Sequence, residues 1–129
     1  MKKHLILFLI ALSITLTAST TFAQTKKAHP TQAVDNSTID MIYNAMRQKS
    51  TDENKLMVVQ DGLKNNTDGV TVDQILKLLN QFQTDDSKLE CAKFTYAWCV
   101  DYKNYLKIQD NFGSDAAKQA LKDFVKKQK

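Results

Sequence analysis

Apolar residues recur along this chain at helical spacing, and no stretch shows the alternation of a half-buried strand. The pattern predicts six helical segments between Ser37 and Lys129. The first covers about Thr38 to Lys49, with Ile39, Ile42, Tyr43 and Met46 on one face; Ser37, with Asp40 three residues on, is its expected cap. The second follows Ser50, which with Glu53 makes a capping box, and carries the stripe Leu56, Val59 and Leu63. It ends in the turn-like run Asn65-Asn66-Thr67-Asp68-Gly69. The third opens on a Thr71–Gln74 capping box and buries Ile75, Leu78, Leu79 and Phe82. The fifth starts near Asp101 as a cap and carries Tyr105, Ile108 and Phe112. The sixth follows Gly113-Ser114, with Ala117, Ala120, Leu121, Phe124 and Val125 inward.

The fourth segment is the expected centre. Thr84 is its N-cap, Asp85 and Asp86 suit the positive end of the helix dipole, and no Gly or Pro interrupts Lys88 to Val100. At roughly 100° per residue, Leu89, Ala92, Tyr96, Cys99 and Val100 share one face. Cys91, Phe94, Trp98 and Tyr102 share nearly the opposite one. A helix apolar on two sides belongs in the middle of a bundle. The rival arrangement leaves the Phe94–Trp98 face open as a docking surface.

The segments repeat. Thr51-Asp-Glu-Asn-Lys-Leu56 recurs as Thr84-Asp-Asp-Ser-Lys-Leu89, Val70–Phe82 aligns with Val100–Phe112, and Ser114-Asp115 echoes Thr84-Asp85. The chain thus reads as an all-α domain of stacked helix hairpins, a small helical-repeat bundle whose units bury their apolar faces only against neighbours. Domain organisation follows: a secretory signal peptide at 1–23, a flexible polar linker at 24–37, and the helical domain at 38–129. The signal reading rests on Lys2-Lys3-His4, the apolar run from Leu5 to Leu12, and the small-x-small site Thr21-Phe22-Ala23. The apolar run is too short for a convincing membrane span, and no transmembrane candidate follows it. The expected location is outside the cytoplasm, periplasmic or secreted, in a bacterial cell.

Charge and composition narrow the chemistry. The leader holds two of the eighteen Lys and Arg and none of the fourteen Asp and Glu, leaving sixteen against fourteen, or +2. That is too mild and scattered for nucleic-acid binding. Both histidines, His4 and His29, fall before Ser37, so the expected domain lacks the usual general base and the commonest zinc ligand. No Gly-x-Ser-x-Gly elbow and no phosphate-cradling Gly-rich loop is present. An EF-hand register on Gly69 would put Lys64 and Ile75 where carboxylates are needed, so calcium is not expected. In one unbroken helix Cys91 and Cys99 stand about 12 Å apart along the axis. That is beyond the roughly 7 Å reach of a disulfide, so both are expected free. Asp52-Glu53, Asp85-Asp86 and Asp101 each sit at a helix start, where capping accounts for them without catalysis. Asn36-Ser-Thr38 and Asn65-Asn-Thr67 fit glycosylation sequons, which matter only in a eukaryotic secretory pathway.

The run Thr71-Val-Asp-Gln74-Ile75-Leu-Lys-Leu78-Leu79, then Phe82-Gln-Thr84-Asp85, Lys88-Leu89, Ala92-Lys93, Tyr96, Val100-Asp101, Asn104-Tyr105 and Phe112-x-Ser114 resembles the domain of unknown function 4476 (DUF 4476), found largely in exported proteins of Bacteroidetes-type bacteria. Gln83 departs from the apolar or aromatic residue expected after Phe82. The resemblance implies an all-helical domain with no established activity, and it carries no catalytic, cofactor or metal residues across. Lys88 and Lys93 are the motif residues that packing explains least. The expected function is non-catalytic protein binding or a structural role in the cell envelope. Lys88, Lys93, Phe94, Trp98 and Tyr102 are the candidate partner-binding residues, and no cofactor is expected. One alternative is an enzyme acting on envelope polymers through Asp85, Asp101 or Tyr105. The other is a carrier of small apolar ligands in a cavity lined by Phe94, Trp98 and Tyr102.

Overall fold

The computed structural model describes residues 28–129; the leader expected at 1–23 lies outside them. Five α-helices and one 3₁₀ helix follow in order: α1 Asn36–Arg47, α2 Asp52–Lys64, α3 Val72–Leu79, α4 Asp85–Tyr96, the 3₁₀ helix Tyr102–Asn111, and α5 Asp115–Lys127. They pair as three hairpins: α1 with α2, α3 with α4, and the 3₁₀ helix with α5. The hairpins stack in two layers. α1, α3 and the 3₁₀ helix adjoin in one, and α2, α4 and α5 adjoin in the other. The fold is all-α. α4 touches α2, α3 and α5, which gives it the central place its two apolar faces predict.

Most helix starts are where their side chains put them. Thr71 and Gln74 close the expected capping box, Thr84 accepts from the Ser87 amide, and Ser114 accepts from the Ala117 amide. Two starts move. α1 is capped by Asp35, whose carboxylate takes the Thr38 amide at 2.9 Å, rather than by Ser37; the carboxylate also takes the Ser37 and Thr38 hydroxyls. α2 is capped by Thr51, one residue after Ser50.

Three further differences follow from contacts distant in sequence. α4 stops at Tyr96 instead of running to Val100. Val70 lies between Trp98 and Val100, donating its amide to the Trp98 carbonyl at 2.8 Å and accepting the Val100 amide at 2.9 Å, so the chain turns out of the helix. The fifth segment is 3₁₀, a geometry with three residues per turn that lines up Tyr102, Tyr105 and Ile108. Asp101 makes no cap there; its carboxylate takes the Val72 amide at 2.8 Å.

The polar segment before α1 is the third difference. From Ala28 onward it is a strap packed on the domain rather than a loose linker. Gly69 donates to Gln32 O at 2.7 Å, Val34 donates to Gly69 O at 2.8 Å, and the Val34 side chain is buried. Gly69 is there because of close approach. A Cβ at this position would lie 2.2 Å from the Trp98 carbonyl and 2.8 Å from the Pro30 ring. The strap also brings His29 into the folded body, against the expectation of a domain without histidine.

The repeated Asp and Lys have a defined task. The Asp52 carboxylate, at the first position of α2, takes the amides of Gln83 and Thr84, while Lys55 Nζ reaches Gln81 O at 2.7 Å. One hairpin later, Asp85 takes the amides of Gly113 and Ser114, and Lys88 Nζ reaches Asn111 O at 2.9 Å. In both cases the carboxylate holds the capping residue of the next helix in the same layer and the residue before it. The ammonium holds the carbonyl three residues before that cap. Each hairpin thereby grips the loop of its successor.

Candidate functional site

The five candidate residues separate into different settings. Lys88 is spent inside the fold, on Asn111. Lys93 forms an exposed ion pair with Glu90 at 3.2 Å, one turn away on the same helix. Phe94, on the last turn of α4, and Trp98, in the turn just after it, come together. Their ring centroids are 6.4 Å apart, and both rings are half-buried against the core. The Phe94–Trp98 face is therefore neither fully core nor fully open. Tyr102 belongs to a separate aromatic group built with the strap. His29 stacks on it at 3.7 Å, meets Tyr96 edge-on at 5.0 Å, and has Nδ1 3.0 Å from Cys99 O.

His29 and Tyr96 belong to this group without being among the five candidate residues. No periodic signal marks His29, since it reaches its partners through the strap. Beside the group lies a cavity of about 200 Å³, lined by Tyr96, Tyr102, Lys103, Leu106, Val125 and Lys129. Neither Phe94 nor Trp98 lines it, so the three-aromatic cavity expected of a carrier is not the one formed here. A larger and more polar groove, about 480 Å³, runs between α1 and α3 beside Asp40, Asp73 and Gln74, and the Lys77–Asp40 ion pair spans it.

The residues named for catalysis are engaged within the chain. Asp85 holds the α5 loop. Asp101 holds the Val72 amide and accepts from Cys99 Sγ at 3.4 Å. The Tyr105 hydroxyl is buried, donates to Ala92 O and lies 2.9 Å from Thr95 Oγ1; burial drives its acidity well below that of ordinary tyrosine. Both cysteines are free and buried. Burial pushes the Cys91 thiol up to about 12, and burial, then the neighbouring Asp101, pushes Cys99 up as well. At neutral pH neither is a thiolate, the form that acts as nucleophile or metal ligand. Among the described residues no cluster of three or more His, Cys, Asp or Glu could hold a metal ion, and no buried side-chain N or O lacks a partner.

The sequence pattern of a family described as a domain of unknown function (DUF4476) matches residues 33–125. The chain belongs to the DUF4476 family. No curated protein and no solved structure matches it. The DUF4476 match opens at Ala33, inside the strap where that residue bridges Gly69, and closes at Val125, the last buried residue of α5. The family unit therefore takes in the end of the strap, from Ala33, as well as the three hairpins up to Val125.

Proposed function

We propose that this DUF4476 domain is an exported, non-catalytic protein-binding module of the bacterial cell envelope. The observation that carries the reading is the half-buried Phe94–Trp98 pair at the end of the central helix. Paired aromatics with one side packed and one side wet are the side chains that anchor protein interfaces. Of the motif charges nearby, Lys88 holds the Asn111 carbonyl and Lys93 pairs with Glu90. The basic and apolar start of the sequence supports export.

A photo-reactive phenylalanine analogue at position 94, in cells that export the protein, is expected to give a discrete protein adduct. The same analogue at exposed Asn44 on α1 should give none. Equal labelling from both positions overturns the reading. The mature protein is expected to begin at Gln24 by mass spectrometry.

A second reading is carriage of a small apolar ligand, supported by the cavity beside Tyr102, Leu106 and Val125. Chemical-shift changes confined to those residues on titration with a small aromatic compound would favour it over protein binding.

A further inference from the structure

The grip that links the hairpins occurs a third time in the sequence. Thr51-Asp52-x-x-Lys55 and Thr84-Asp85-x-x-Lys88 are followed by Ser114-Asp115-x-x-Lys118. The first two grips are filled by the next loop of the same chain. The third holds nothing among the described residues, of which α5 is the last helix. Asp115 is exposed and Lys118 half-buried, and neither side chain bonds or pairs with any described residue.

At the other end of the stack, one loop is left ungripped. The two gripped loops present the amide of the helix cap, the amide before it, and the carbonyl three residues before the cap. The corresponding groups before α2 are the Thr51 and Ser50 amides and the Gln48 carbonyl. All three residues are exposed, and none of these groups has a partner among the described residues. An unfilled grip at one end and an unheld loop at the other are complementary in each hydrogen bond.

We infer that this chain associates head to tail with a second copy of itself, Asp115 taking the Ser50 and Thr51 amides of the partner and Lys118 its Gln48 carbonyl. The occupant is a second copy because its first loop offers the same three backbone groups, at the same offsets from the cap, that the two internal grips already hold. The contact is heterologous, so it extends in an open series rather than closing a dimer. It is also weak. Lys122 and Lys126, on the same stripe of α5 as Lys118, are exposed where the earlier helices carry Val59 with Leu63 and Ala92 with Tyr96. Hydrogen bonds to charged groups hold the copies with little apolar burial beneath them.

The test is dilution of the purified protein followed by amide chemical shifts. Concentration-dependent shifts are expected at Ser50 and Thr51, and are expected to vanish in Asp115→Asn with Lys118→Met, a pair of surface changes that leave the fold's circular dichroism unaltered. Absence of any such dependence up to on the order of 1 mM overturns the inference. A second measurement mixes an Ala116→Cys chain, which keeps Asp115 and Lys118, with a Ser50→Cys chain under mild oxidation. Faster mixed-disulfide formation than with Asp123→Cys in place of Ala116→Cys supports the geometry; equal rates overturn it. Self-association at other surfaces, with Ser50 and Thr51 unmoved, also overturns it.

Discussion

A carboxylate in the first turn of a helix ordinarily serves that helix's own dipole. Asp52 and Asp85 serve the next hairpin as well, each collecting two amides that would otherwise face outward from a loop. Burial works to raise the Asp52 carboxyl, yet the Gln83 and Thr84 amides, a Ser87 bond and nearby Lys55 together hold it below its ordinary value. The Gly113 amide, then that of Ser114, holds Asp85 below the same value. A carboxyl lowered in the folded state stabilises fully above its unfolded value and loses that contribution as pH falls through the folded one. Thermal stability is therefore expected to hold from neutral pH down to about the ordinary value of 3.8, then to fall. Asp35, lowered by the Thr38 amide and hydroxyl and the Ser37 hydroxyl, adds to the same window. In Asp52→Asn with Asp85→Asn, the melting temperature at neutral pH should drop and the acid-side slope should flatten. An unchanged slope would remove these two residues from the account.

At the level of elements, the strap is the part most exposed to a single change. Gly69 is not in the left-handed region; it is confined by Trp98 O on one side and Pro30 on the other. Gly69→Ala is expected to cost about 1–3 kcal/mol, as overpacking does. The loss should be read as a lowered denaturation midpoint with faster hydrogen exchange at the Val34 amide. Wild-type protection of that amide in the variant would show the strap to be independent of Gly69. The strap also marks where the sequence stops being readable. Helices α2, α3 and α5 announce themselves through period, capping residues and turn composition, because those causes are local. Residues 28–35 are held by backbone pairing to Gly69 and by His29 on Tyr102, contacts that leave no periodic trace. The pattern of α4 runs on past Tyr96, and only the insertion of Val70 ends it. Within the candidate site, Phe94 and Trp98 are legible as i and i+4 neighbours. The task of Lys88 is not, since its acceptor Asn111 lies on a different hairpin.

At the scale of the whole molecule, the third hairpin differs from the first two. Each helix of the α2, α4, α5 layer carries a stripe at four, eight and twelve residues past its cap. In α2 this is Lys55, Val59 and Leu63, and in α4 it is Lys88, Ala92 and Tyr96, the last of which packs edge-on against Phe124 of α5 at 5.7 Å. In α5 the stripe is Lys118, Lys122 and Lys126, and the Leu56 and Leu89 position becomes Gln119. The gripping residues persist while the apolar ones beneath them do not. Among the described helices α5 is outermost in its layer, and this replacement gives it the polar outer face that such a unit needs. Restoring the apolar pair with Lys122→Val and Lys126→Leu should turn weak contact into stable assembly. Each new side chain, once buried, contributes about 1.5–3 kcal/mol. Sedimentation velocity is expected to show concentration-dependent species larger than a dimer, because the joined ends are unlike and the series stays open. Adding Asp115→Asn to that background should shift the assembly back toward monomer. A double variant that remains monomeric where the protein is soluble would mean that something other than these lysines closes the stack.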